Sequence, residues 1–226
     1  MMTVMERGIR CGGRPVTAIV LAGGRGRRMK ADKVRLPVPG GTLLECVVGQ
    51  LAPHFDEVLI SVSPGQALDL EGLGGPKLRL VRDEAPDLGP LGGVLAGLKA
   101  AANNTAAVVA CDIPDIDVRF LRTLAAAAAN AEIAVPVTPG GDFEPLFAAY
   151  TKAVIPEIEK LLDAGERSLI PLFGRCRTAA VPLGNAGWLR NLNTRRDYED
   201  YLRSLRSRRK VPWFRPGRSG PSPGGS

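Results

Sequence analysis

Aromatic residues are scarce in this chain of 226 residues, 5% of the total against 45% hydrophobic. A core made from it must be assembled from Ala, Val, Leu and Ile, and there is enough apolar content for one sizeable α/β domain. The four cysteines, Cys11, Cys46, Cys111 and Cys176, form no C-x-x-C pair and match no zinc framework. They read as free thiols of a reducing cytosol. Apolar runs fall far short of a membrane span. Arg7, Arg10 and Arg14 are followed by no apolar h-region, so the start of the chain does not read as a signal peptide, and the expected compartment is the cytoplasm. Acidic residues are missing from Arg203 onward, where 7 of the 30 basic residues lie, leaving 23 against 23 acids before it. The net charge of +7 therefore belongs to a C-terminal stretch and argues only weakly for a nucleic-acid partner.

What is present alternates between short apolar runs and helical spacing. Residues 1–16 show no periodicity and read as a flexible leader. Thr17–Ala22 is a buried strand ending in Gly, followed by a Gly- and Arg-rich loop to Pro39. Leu43–Leu51 has helical spacing, with a capping box of Thr42 and Glu45. Further strands are expected at Glu57–Val62, Leu78–Val81, Ala106–Ala110, Glu132–Pro136, Pro145–Tyr150 and Arg177–Val181. Helices are expected at Pro90–Ala102, Val118–Ala129, Val154–Ala164 and Arg195–Leu205. Residues 207–226, rich in Arg, Pro, Gly and Ser, read as a disordered basic tail. The β–α alternation with strands apolar on both faces predicts an α/β three-layer domain over residues 17–206, its mostly parallel sheet covered by helices on both faces. In such sheets ligands bind beyond the C-terminal strand ends, at a switch point, which directs attention to the residues after Ala22, Val81 and Ala110.

Four segments there could carry chemistry. The first runs Leu21-Ala22-Gly23-Gly24-Arg25-Gly26-Arg27-Arg28-Met29-Lys30-Ala31-Asp32-Lys33. Its glycines let backbone N–H groups approach a phosphate chain, and Arg28 and Lys33 could add fixed positive charge. It is neither a dinucleotide fingerprint nor a P-loop, and a solvated basic loop would have the same composition. The second, Asp83 to Gly93, opens a helix at Pro90, with Gly89, Gly92 and Gly93 leaving room for a ligand; an ordinary β-to-α turn reads the same way. The third is Asp112, placed straight after an apolar strand. Its carboxylate suits a hard cation such as Mg²⁺, or equally a helix N-cap or an ion pair. The fourth is Asn191-Leu192-Asn193-Thr194, where two amides face one way on an extended segment, or where Asn193 or Thr194 caps the last helix.

Taken in order, L-A-G-G-x-x-x-R-M-x-x-D-K, D…G-P-L-x-G, C-D-x-P and N-x-N-T closely resemble the molybdenum cofactor guanylyltransferase family, over about Thr17 to Leu205. The resemblance implies a Rossmann-like nucleotidyltransferase fold and transfer of GMP from GTP to the phosphate of molybdopterin, giving the guanine dinucleotide form and pyrophosphate. It implies nucleotide contacts at Leu21, Ala22, Gly23, Gly24, Lys33, Ser61, Asp83 and Gly89. Asp112 is implied as the Mg²⁺ ligand, also touching the nucleotide, and Lys33 and Arg28 as catalytic clamps on the phosphates. Asn191 and Asn193 are implied to hold the pterin. GTP and molybdopterin are the implied partners, with a molybdoenzyme or its chaperone as recipient; no membrane is expected. Two departures stand out. Lys30 occupies a common Gly position, and Glu144 precedes Pro145-Leu146 where some members have His. His54, the single histidine, lies outside every motif and reads as a surface or helix-end residue.

The expected reaction is an in-line attack by the acceptor phosphate on the α-phosphorus of GTP, with no strong general base because the attacking oxygen is already anionic. Rivals are cytidylyl transfer to the same cofactor, nucleotidyl transfer to another phosphorylated acceptor, or a nucleotide-binding adaptor without turnover.

Overall fold

In the computed structural model the described residues are 8–23, 33–68, 70, 73, 78–184 and 187–207. Seven strands form the central sheet: β1 Thr17–Leu21, β2 Val58–Val62, β3 Leu78–Arg82, β4 Thr105–Ala110, β5 Ile133–Val137, β6 Phe147–Thr151 and β7 Thr178–Pro182. Their order across the sheet is β7-β5-β6-β4-β1-β2-β3. All neighbouring pairs are parallel except those made by β6, which runs antiparallel to both β4 and β5. The chain steps outward from β1 to β3 and then crosses to β4 on the other side of β1, so the strand order reverses at β1–β4.

The five helices are α1 Leu43–Leu51, α2 Gly89–Ala100, α3 Val118–Ala127, α4 Ile155–Asp163 and α5 Arg195–Ser207. Strand alternation divides the core into two layers. Ala18, Val20, Ile60, Val109 and Phe147 face α1, α3 and α5. Ile19, Leu59, Val108, Ala148 and Tyr150 face α2 and α4. This explains why the strands read as continuous apolar runs: both faces are covered. Thr42 and Glu45 form the expected capping box on α1, and Asp117 caps α3 through the N–H groups of Arg119 and Phe120. No helix among the described residues is long and apolar enough to cross a membrane.

The described part of the expected leader folds onto the domain. Arg10–Cys11 pairs with Arg14–Pro15 around Gly12 and Gly13, both with positive φ. Ile9 and Val16 are 1% exposed, and the Ile9 N–H donates to the His54 carbonyl. Two-residue strands have no periodicity to detect, although the Gly-Gly turn was visible. A second ribbon, Pro37–Val38 with Gly41–Thr42, closes the loop ahead of α1. Residues 1–7 and 208–226, including most of the expected tail, lie outside the described residues.

At the N-terminal edge of the sheet Glu57 is 3% exposed. It accepts from Thr17 Oγ1 (2.7 Å), the Ala102 N–H (2.8 Å) and Arg79 Nη2 (2.6 Å). Burial alone would raise its pKa, but these donors outweigh burial and hold the carboxyl below its ordinary value. Glu57 ties β1, β2, β3 and the end of α2 together.

Candidate functional site

Register sets the geometry at the opposite edge. Leu21 pairs with Ser61 and with Ala110, and Ser61 pairs with Val81. These four residues therefore share one level of the sheet. Gly23, Ser63, Asp83 and Asp112 each lie two residues beyond it, so the ends of four adjacent parallel strands deliver them to one edge. The Cys111 N–H donates to the Leu21 carbonyl (3.0 Å) and the Ala22 N–H to the Ser61 carbonyl (2.8 Å), extending the pairing past the strands.

A cleft of about 460 Å³ opens there. Gly23, Ser61, Asp83 and Gly89, all expected from the sequence, line it, together with Gly93 and Leu146. Its floor is a polar pair: Ser61, 1% exposed, donates Oγ to Asp83 Oδ1 at 2.9 Å. Burial pushes the Asp83 carboxyl above its ordinary pKa, and the Ser61 hydrogen bond only partly opposes this. Among the described residues only Ser61 donates to the Asp83 carboxyl, and its second oxygen suits a ligand O–H or N–H.

Helix α2 can lie close to this floor because of Gly93. A Cβ there would come within 3.0 Å of Ser61 Oγ and 3.1 Å of Leu21 Cδ2. Gly89, at φ +63°, turns the chain into α2, and its missing Cβ faces the main chain of Arg167 (2.9 Å to the carbonyl oxygen). Arg167 also donates Nε to the Asp87 carbonyl, so the loop after α4 braces the rim of the cleft. Asp87 itself has φ 58°, a rare conformation for a residue with a side chain.

The second group of expected residues meets beside the first. The Leu192 N–H donates to the Asp112 carbonyl at 2.9 Å, which brings Asn191-Leu192-Asn193 against the end of β4. Asp112 is half-buried; Asn191 and Asn193 are exposed. Thr194 caps α5: its Oγ1 accepts from the Asp197 N–H, while Asp197 Oδ2 accepts from the N–H groups of Thr194 and Asn193. The capping reading of this segment therefore holds for Thr194. Among the described residues no group of three or more His, Cys, Asp or Glu forms a ready metal cage. Asp112 supplies a carboxylate at the end of β4, on the same edge as Asp83.

Gly24 and Arg28 lie outside the described residues. Lys33 opens a 3₁₀ turn, Lys33–Arg35, and its side chain lies outside the described residues as well.

Several supporting residues carried no sequence signal. Gln66, after a Pro-Gly turn, donates Nε2 to the Ala22 carbonyl and accepts from the Ser63 N–H, both at 3.3 Å. It fixes the exit of β1 to the loop after β2. Gln50 on α1 donates to the Pro114 carbonyl (2.8 Å) and accepts from the Ile116 N–H (3.1 Å), pinning the segment after Asp112. Nearby Cys46 is buried, and its thiol is pushed up to about 12, so it is no nucleophile.

A family model described as the MobA-like NTP transferase domain matches residues 18–179. The chain is 36% identical over 185 residues to a probable molybdenum cofactor guanylyltransferase of Mycobacterium tuberculosis H37Rv, covering 80% of this chain and 90% of that protein. It is also 36% identical over 196 residues to a molybdenum cofactor guanylyltransferase of Syntrophotalea carbinolica, covering 83% and 90%. Among solved structures, molybdopterin-guanine dinucleotide biosynthesis protein A of Archaeoglobus fulgidus superposes with a TM-score of 0.73 at 22% identity, over 85% of this chain and all of that one. That likeness concerns the fold.

Proposed function

The chain belongs to the MobA-like NTP transferase family, and from that premise we propose that it transfers GMP from GTP to the phosphate of molybdopterin, releasing pyrophosphate. The observation that carries the reading is the shared sheet level of Leu21, Ser61, Val81 and Ala110, which sets Gly23, Asp83 and Asp112 along one edge. Nucleotide and acceptor can then lie side by side, as direct transfer between two phosphates requires.

The nucleoside occupies the cleft floored by Ser61 and Asp83, against the main chain of Leu21, Ala22, Gly23 and Gly89. Gly24 continues that loop. Lys33 and Arg28 clamp the phosphates, spreading charge away from the α-phosphorus as pyrophosphate leaves. Nucleotidyltransferases of this kind generally use a divalent metal; here we assign Mg²⁺, which the Asp112 carboxylate would hold. When bound, the ion would supply positive charge to substrate oxygens. Asp112, held half-buried at the end of β4, fixes where that charge sits. Asn191 and Asn193 receive the acceptor, whose phosphate oxygen is already anionic and needs no strong base. We place the protein in the cytoplasm, with a molybdoenzyme or its chaperone as recipient of the product.

The test is a panel of GTP, ATP and CTP with molybdopterin as acceptor and mass detection of the products. GTP should give the guanine dinucleotide and pyrophosphate. A preference for CTP would move the protein to cytidylyl transfer, and no product with any nucleotide would overturn the assignment.

A further inference from the structure

Glu144 lies in the turn between β5 and β6, on the side of the reactive edge away from β1–β3. Its N–H donates to the Pro136 carbonyl (3.0 Å) and its carbonyl accepts from the Phe147 N–H (3.2 Å), so the backbone is fixed. Two residues on, the Leu146 carbonyl takes the Ala110 N–H (2.8 Å), and Leu146 lines the cleft. Two residues of chain span at most about 7 Å, so the Glu144 backbone lies beside the cleft, next to Leu146 in its lining.

Its carboxyl is unusual in this protein. Several other half-buried carboxylates have partners: Asp83 has Ser61, Asp117 the start of α3 and Glu132 the Arg177 N–H as donors, and Asp115 has the Arg190 guanidinium 3.8 Å away. Half-buried Glu144 has no such donor among the described residues. Burial, and then the like charge of Asp142, push its pKa upward. A desolvated, unpartnered carboxyl costs stability unless a ligand satisfies it. It would repel a phosphate, so the ligand group it suits carries N–H donors.

We propose that the Glu144 carboxylate reads the acceptor, taking the adjacent ring N–H and exocyclic amino group of the pterin with its two oxygens. This rests on the molybdopterin reading above. The paired donors match a carboxylate bidentately. Guanine presents the same edge, so the substrate whose KM moves identifies the ligand.

The experiment compares the full chain with Glu144→Gln and Glu144→Asp, measuring KM and kcat for both substrates and thermal unfolding. Glu144→Gln should raise the acceptor KM on the order of 10- to 100-fold, as loss of a charge-assisted hydrogen bond does. Its GTP KM should stay unchanged and its Tm equal or higher, with Glu144→Asp recovering part of the acceptor affinity. An unchanged acceptor KM, a rise in the GTP KM instead, or a fall in Tm with both KM values rising together would each overturn it. Absence of GMP transfer by the unaltered chain would overturn the underlying reading, and this assignment with it.

Discussion

A buried and a half-buried carboxyl show how the same residue chemistry serves opposite ends of one sheet. Glu57 has three donors and a lowered pKa; Asp83 has Ser61 alone and a raised one. For Glu57 the folded value lies below the unfolded value. Its stabilisation is therefore complete above the ordinary carboxylate range and is lost as pH falls through the lowered value. Glu57→Gln should cost about 1.5–3 kcal/mol at neutral pH, the scale of hydrogen bonds to a charged group. The corresponding drop in Tm is roughly 3–10 °C for a domain of this size, narrowing in acid, and melts across a pH series check it. For Asp83 the sign reverses: the charged form is disfavoured by folding, so its cost appears as pH rises through the raised value. Asp83→Asn should leave Tm unchanged or higher at neutral pH while weakening GTP binding by calorimetry; a destabilised variant that still binds GTP normally would contradict this. Asp112→Asn should cut turnover at least about 10²-fold with little change in folding, as lost charge stabilisation does. Near-normal turnover in a well-folded variant would remove Asp112 from the mechanism.

Helix α2 carries a division of labour along one face. Gly93 and Gly97 are one turn apart, and both allow close approach to the sheet, but to different ends of it. A Cβ at Gly97 would sit 2.7 Å from Ile19 Cδ1, inside the core, whereas one at Gly93 would meet Ser61 at the cleft. Gly97→Ala should destabilise, because overpacking costs about 1–3 kcal/mol against roughly 1 kcal/mol regained in helix propensity. Gly93→Ala should instead raise the nucleotide KM with a smaller effect on Tm. Equal thermal losses in both variants, with normal kinetics in Gly93→Ala, would deny the helix this role. The elements themselves were legible. All seven sheet strands and five helices lie where apolar runs, helical spacing, Thr42 and Pro90 indicated, since those signals come from burial on two faces and from caps. The reversed direction of β6 left no mark in Phe147–Thr151, because a strand buried on both faces reads alike in either direction. The site was partly legible. Asp112 stood out as an acid directly after an apolar strand, whereas Asp83 was singled out through the family resemblance. Gln66, Gln50 and Arg167 did not stand out, because these contacts join segments 44 to 80 residues apart in sequence.

At the scale of the whole molecule, we propose that main-chain groups at the cleft read the base. Gly23 and the turn at Gly89 line the cleft, and guanine offers donors at N1 and N2 with an acceptor at O6. A site built on such pairing rejects a base with the wrong pattern because buried groups are left unpaired. The kcat/KM for GTP should exceed that for ATP and CTP by at least about 10²-fold. Equal values for the three would refute base selection here. The reversed β6 has a wider consequence. It brings the Glu144–Leu146 turn to the reactive edge from the opposite chain direction, and in the proposed reading residues 133–194 shape most of the acceptor side while residues 17–112 shape most of the nucleotide side. On that reading the two recognition tasks fall on separate stretches of one chain, so substitutions in the later stretch should change the choice of acceptor without changing the choice of nucleotide.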